Sequence, residues 1–285
     1  LAALPPKQRN KIVTSLLPQA KKALAWPESN ADCVSHTRSG VMTNIFLIRH
    51  GEAYGNVHPV LTGMRSDPGL TERGVMQAER LRDRLAASGE FKAEVLIAST
   101  LPRARQTAEI IAPALDLPLI LDDEVQELRL GEADGLTNTE AWEKFGEPDF
   151  DNQPLRPIAP GGESWGSFML RVGLALDRIS REHAGKNIVI VCHGGVVDGS
   201  LIYFMNLPTL RLPGFELYTH NTSITHWQLH RRASVTKWRL MKYNDIAHLH
   251  GEDVRESLRW RPAENVADPE TSHPASHVPP EDHEQ

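Results

Sequence analysis

From residue 42 onward, short runs of aliphatic and β-branched residues alternate with longer stretches whose apolar positions recur three and four residues apart. Segments 44–48, 94–98, 117–121 and 187–191 are nearly continuous apolar runs, the pattern of strands buried on both faces. Segments 72–87, 103–114, 163–183 and 196–205 carry helical spacing, and Thr71 and Gly195 stand where an N-cap belongs. Strands that alternate with helices predict βαβ units, and right-handed crossovers stack these into a three-layer α/β sandwich with a mostly parallel central sheet flanked by helices. Later, 222–229 and 235–242 alternate polar and apolar residues, which predicts an antiparallel pair.

Both ends of the chain depart from this pattern. Residues 1–41 hold six basic against two acidic residues, a net of +4, and 7–26 has the makings of a basic amphipathic helix broken at Pro18. Three readings stand for this segment: sequence upstream of the natural start, since Met42 immediately precedes the first strand; a genuine appendage; or an organellar targeting peptide. Residues 262–285 hold five prolines, six acids and no Lys or Arg, so a disordered acidic tail is expected there. That leaves 42–261 for a single domain, and a composition of 40% hydrophobic and 24% charged residues suits one sizeable core.

The remaining bulk properties narrow the partners. The six tail acids alone match the formal net charge of −6, so the chain has no global basic field and no nucleic-acid partner is expected. No apolar run approaches the roughly 20 residues that span a bilayer, so no membrane partner is expected either. Cys33 and Cys192 form neither a disulfide framework nor a zinc pattern, which fits a reducing cytoplasm. His248, His250, His273, His277 and His283 lack metal-ligand spacing and read as solvated or tail residues; no metal and no cofactor are called for. A homodimer is kept open.

Candidate chemistry gathers where apolar runs stop. Phe46-Leu-Ile-Arg-His-Gly-Glu52 is a strand that ends abruptly in Arg49, His50 and Gly51, and ligands of open α/β sheets bind at the carboxyl ends of strands. A lone histidine there is more often structural, but Ile188-Val-Ile-Val-Cys-His-Gly-Gly195 ends in the same way and runs straight into a helix. If these strands are neighbours, His50 and His193 meet beside a helix N-terminus, whose N–H groups favour anions. A third strand leads into Ser99-Thr-Leu-Pro-Arg-Ala-Arg-Gln-Thr-Ala108, which puts Arg103 at the start of the following helix.

With Asn56, Leu61-Thr-Gly63, Leu70-Thr-Glu-Arg-Gly74, Glu127 in Val125-Gln-Glu-Leu-Arg-Leu-Gly131, Pro160-Gly-Gly-Glu-Ser164 and His193-Gly194, these motifs resemble the histidine phosphatase superfamily, or phosphoglycerate mutase-like family, in its order across residues 44–200. The resemblance implies the phosphoglycerate mutase-like fold and metal-independent hydrolysis of a small-molecule phosphate ester. His50 would attack phosphorus and form a phosphohistidine, with one ring nitrogen tied to a backbone acceptor so that the other is aimed. Arg49, Arg103 and His193 would stabilise the transferring phosphoryl. Glu127 would be the general acid and then the base, with Glu124 and Glu132 close enough in sequence to compete. Gly51, Asn56, Thr62, Gly63 and Gly194 fall on the substrate-binding side.

The family also contains mutases. Between Leu128 and Gly162 three basic residues stand against seven acidic ones, a net of −4, whereas a mutase that holds a small bisphosphorylated polyanion needs extra basic groups in this lid. That favours a phosphatase over a 2,3-bisphosphoglycerate-dependent phosphoglycerate mutase. A non-catalytic phosphate-binding module is least favoured, because every catalytic position is intact.

Overall fold

The structure, a computed structural model, describes residues 42–210, 217–232 and 235–251. The expectations for 1–41 and for the acidic tail lie outside the described residues. Six strands form one sheet: β1 Thr43–Arg49, β2 Val95–Ser99, β3 Leu119–Asp122, β4 Asn187–Cys192, β5 Ile224–Arg232 and β6 Val235–Asp245. Their order is β3-β2-β4-β1-β5-β6. The first four run parallel, and β5 and β6 add the antiparallel pair that the alternation predicted. The helices are α1 Tyr54–Val57, α2 Glu72–Ser88, α3 Pro102–Leu115, α4 Asn138–Phe145, α5 Trp165–Glu182 and α6 Gly194–Phe204.

Side chains alternate along each strand, so the runs in β1 and β4 feed two cores at once. Ile45, Leu47, Ile188 and Ile190 pack with Phe168, Val172 and Leu176 of α5 and with Val196 and Val197 of α6. Phe46, Ile48, Val189 and Val191 pack on the opposite face with Leu81 and Leu85 of α2 and with Ala104, Ala108 and Ile111 of α3. Covering both faces gives the three layers and explains why these strands read as continuous apolar runs. β3 differs from its expectation: it begins two residues late, and Ile120 and Leu121 are exposed, because it is the outermost strand of the sheet.

Helix ends set where the strands deliver their last residues. Thr71 caps α2 as expected, accepting from Gly74 N at 3.1 Å. Gly195 does not cap α6: His193 holds the extended N-cap position, and both glycines lie within the first helical turn. The helix thus starts immediately after β4, with His193 at the junction.

Candidate functional site

β1 and β4 are direct neighbours, with Arg49 opposite Cys192 in register, so the residues that follow them emerge side by side. The His50 and His193 rings lie 5.1 Å apart between centroids, and both residues are buried. His50 N donates to Cys192 O at 2.9 Å, and Asn221 Nδ2 donates to His50 O at 2.9 Å, which pins the backbone at the strand end. The ring is fixed as well: Nδ1 lies 2.7 Å from Gly51 O, an acceptor only, so Nδ1 carries the hydrogen and Nε2 keeps its lone pair. Arg103 Nε donates to that Nε2 at 3.1 Å.

Close backbone packing makes this turn possible. A Cβ on Gly51 would stand 2.4 Å from Gly74 O, and one on Gly74 would stand 2.0 Å from Glu52 O, so only glycines let the end of β1 and the start of α2 touch. Gly51 N donates to Thr107 Oγ1 at 3.0 Å, and Thr107 Oγ1 donates in turn to Arg103 O at 2.8 Å.

Arg103 is held on three sides. Its Nη1 forms an ion pair with the buried Asp67 at 2.8 Å and donates to Thr62 O at 3.2 Å, while its Nε reaches His50. Arg49 reaches from β1 to Thr219 O, on the segment that also carries Asn221. Burial pushes the His50 imidazole well below the ordinary histidine range, and Arg103 and Arg49 push it the same way. Burial also lowers His193, with Arg103, His50 and Arg49 adding to the effect. Both rings are therefore neutral at pH 7, and His50 Nε2 carries an unprotonated lone pair.

Glu127 reaches the same strand end from the other side. Its Oε2 accepts from Gly195 N at 3.1 Å and its Oε1 from Leu128 N at 3.1 Å. A helix N–H expected to face a bound anion is thus engaged by this carboxylate. The competing acids are placed elsewhere: Glu124 pairs with Arg129 at 3.1 Å and Glu132 with Lys144 at 3.7 Å. Arg171, in the middle of α5, anchors the Glu127 loop. It forms a bidentate pair with Glu163, both bonds 2.7 Å, and donates to the carbonyls of Glu124, Gln126 and Glu127.

The expected binding residues divide. Gly51 and Gly194 adjoin the two histidines, and a Cβ on Gly194 would meet Arg49 Nε at 3.7 Å. Asn56 Oδ1 accepts from Ala53 N and from Asn221 Nδ2, at 3.0 and 3.1 Å. Thr62 meets the site through its carbonyl, and Gly63 N is bonded to Asp134 Oδ1 at 2.9 Å. Sequence reasoning missed Asp67, Thr107, Thr219, Asn221 and the Arg171–Glu163 pair. His248, read as solvated, is instead buried behind the site, with Nε2 2.9 Å from Thr222 Oγ1. The cause is the return of the chain after β6 over the loop that precedes β5. Among the described residues no cluster of His, Cys, Asp and Glu could hold a metal ion, and no helix is long and apolar enough to cross a membrane.

Comparison with known proteins places these features in company. The family model described as "Histidine phosphatase superfamily (branch 1)" matches residues 45–246. The chain is 33% identical over 213 residues to phosphoglycerate mutase-like protein 4 of Arabidopsis thaliana, covering 72% of this chain and 86% of that protein. It is 29% identical to the metal-independent phosphoserine phosphatase of the same plant, with 73% and 84% covered. A 2,3-bisphosphoglycerate-dependent phosphoglycerate mutase of a Methylobacterium strain is 32% identical, with 61% and 86% covered. Among solved structures, a mutant of the phosphoserine phosphatase of Entamoeba histolytica in complex with phosphoserine superposes with a TM-score of 0.57 at 25% identity, covering 73% of this chain and 100% of that one.

Proposed function

The chain belongs to the histidine phosphatase superfamily and is an enzyme of its phosphatase kind; on that premise we propose that it hydrolyses small phosphate monoesters through a phosphohistidine at His50, without a metal ion. The observation that carries the reading is the fixed tautomer of His50. Its Nδ1–H is held by Gly51 O, so the Nε2 lone pair is presented beside the Arg103 guanidinium.

In the first step Nε2 attacks phosphorus, the ester P–O bond breaks, and Glu127 supplies the proton that the leaving oxygen takes up. In the second, Glu127 accepts a proton from water as the oxygen bonds to phosphorus, and the P–N bond breaks to release phosphate and His50. Arg49 and Arg103 stabilise the charge on the equatorial oxygens in both steps. Asn56 keeps its amide nitrogen for the substrate, because its oxygen is already engaged. Positive charge at the phosphoryl comes from the two guanidiniums, which is the ground for metal independence. Phosphoserine in the relatives suits a small-molecule ester as the substrate class.

The mutase-named relative gives a second reading, in which the phosphoenzyme returns its group to a phosphoglycerate. Formal charge in the lid is a poor guide here. Asp134 is spent on Gly63 N, Arg65 N and Ser66 Oγ, and Glu140 and Asp149 cap local turns. What favours hydrolysis is that both lid arginines are committed. Arg129 bonds Gln126 and Glu124, Arg156 bonds the carbonyls of Phe145, Gly146 and Glu147, and Lys144 pairs with Glu132. The lid therefore offers no uncommitted guanidinium to a second phosphate. A chromogenic aryl phosphate assayed with excess chelator should turn over unchanged. Supplied with 3-phosphoglycerate and its bisphosphate, the enzyme should release inorganic phosphate; isomerisation without release would install the mutase instead.

A further inference from the structure

Ser99, the last residue of β2, is fully buried and sends Oγ to 2.8 Å from His193 Nε2. His193 is fully buried too, and its other ring nitrogen, Nδ1, has no hydrogen-bond partner. A buried imidazole nitrogen without a partner is costly, and such groups in folded proteins call for an explanation.

Counting hydrogens fixes the tautomer. Leu101 N donates to Ser99 Oγ at 3.3 Å, so the hydroxyl already accepts and still has its own hydrogen to place. The acceptor the described residues offer that hydrogen is His193 Nε2. If Nε2 carried the ring proton instead, Ser99 would be left with an unplaced O–H and His193 with a buried lone pair at Nδ1. With Ser99 donating, one group alone awaits a partner, the Nδ1–H. Burial and the neighbouring Arg103, His50 and Arg49 keep the ring from taking a second proton, so the hydroxyl decides which nitrogen bears the single one.

We propose that Ser99 is a positioning residue that holds His193 as its Nδ1–H tautomer, turning a neutral imidazole into a hydrogen-bond donor for the transferring phosphoryl. The two histidines then share one tautomer and present opposite ends. His50 shows a lone pair at Nε2, and His193 shows an N–H at Nδ1. The donor role rests on the phosphohistidine reading; the tautomer itself does not.

Nitrogen-15 NMR of histidine-labelled enzyme tests the tautomer without any substitution. His193 should show a protonated-type Nδ1 and an unprotonated Nε2 at pH 7, and the reverse pattern, or two protonated nitrogens, would overturn the proposal. Ser99→Ala should shift His193 toward the Nε2–H form and lower kcat/KM by about 10- to 100-fold, the range for losing one hydrogen bond to a charged group. Ser99→Thr, which keeps the hydroxyl, should restore the Nδ1–H signature. A loss of activity in Ser99→Ala with the tautomer unchanged would reduce Ser99 to packing and sink the proposal, as would full activity. Phosphate labelling of His50, measured alongside, reports separately on the phosphohistidine reading.

Discussion

Replacing Arg171 with Met should destabilise the protein by about 3–5 kcal/mol, the cost of removing one partner from a buried, hydrogen-bonded pair. All five guanidinium hydrogens are in use, two on Glu163 and three on the carbonyls of Glu124, Gln126 and Glu127. The side chains of Arg171 and Glu163 are only 6% and 13% exposed, so solvent cannot take over these bonds. After the substitution the Glu163 carboxylate keeps a single bond, from Arg129 N at 2.9 Å. Against a typical total of about 5–15 kcal/mol this is a large share, and for a domain of this size it lowers Tm by roughly 6–20 °C. Urea unfolding of Arg171→Met should show the lower midpoint with an unchanged m-value. Adding Glu163→Leu removes the stranded charge, so the double variant should be at least about 1 kcal/mol more stable than the sum of the single losses. Because the Glu127 carbonyl is released, turnover of alkyl phosphates should fall more than turnover of nitrophenyl phosphate. A single-variant loss under about 1 kcal/mol, or strict additivity, would refute Arg171 as the anchor of this loop.

Three further outcomes follow from the site. Asp67→Asn should leave Arg103 without its buried counter-charge at 2.8 Å and cut kcat/KM by about 10- to 100-fold; unchanged kinetics would mean that Thr62 O and Thr107 suffice to hold Arg103. Glu127→Gln should slow phosphoenzyme formation far more for alkyl than for nitrophenyl esters, since only the alkoxide needs a proton, and equal loss in single-turnover experiments would make Glu127 structural. Stability should fall with acid below pH 6.5, because burial lowers His226 and His248 to about 4, with Lys242 and Arg84 adding. The unfolded chain binds more protons in that window, so this stability is complete above 6.5 and lost as the pH drops to about 4. Urea midpoints that stay flat from pH 7 to 4 would contradict it.

The histidines were legible because an apolar run that stops at a charged or polar residue marks both a buried strand and its carboxyl end. Register did the rest: with β1 beside β4, His50 and His193 had to be neighbours. Asp67, Thr219 and Asn221 were not legible, because they sit on loops and reach the site over long sequence separations through contacts that no periodicity records. Arg171 did leave a signal that went unused. It lies between Phe168 and Met169 on one side and Val172 and Ala175 on the other, an arginine at a core-facing turn of α5, and such a residue requires buried acceptors. Lid charge pointed the right way on incomplete grounds, since a count of carboxylates does not show which of them are already holding turns together.

Covalent labelling tests the central claim most directly. Enzyme mixed with a phosphorus-32-labelled ester in excess chelator and quenched within one turnover should carry acid-labile, base-stable phosphate on His50, and His50→Ala should carry none. Label that persists in His50→Ala, or that maps to any other residue of the wild-type chain, would contradict it.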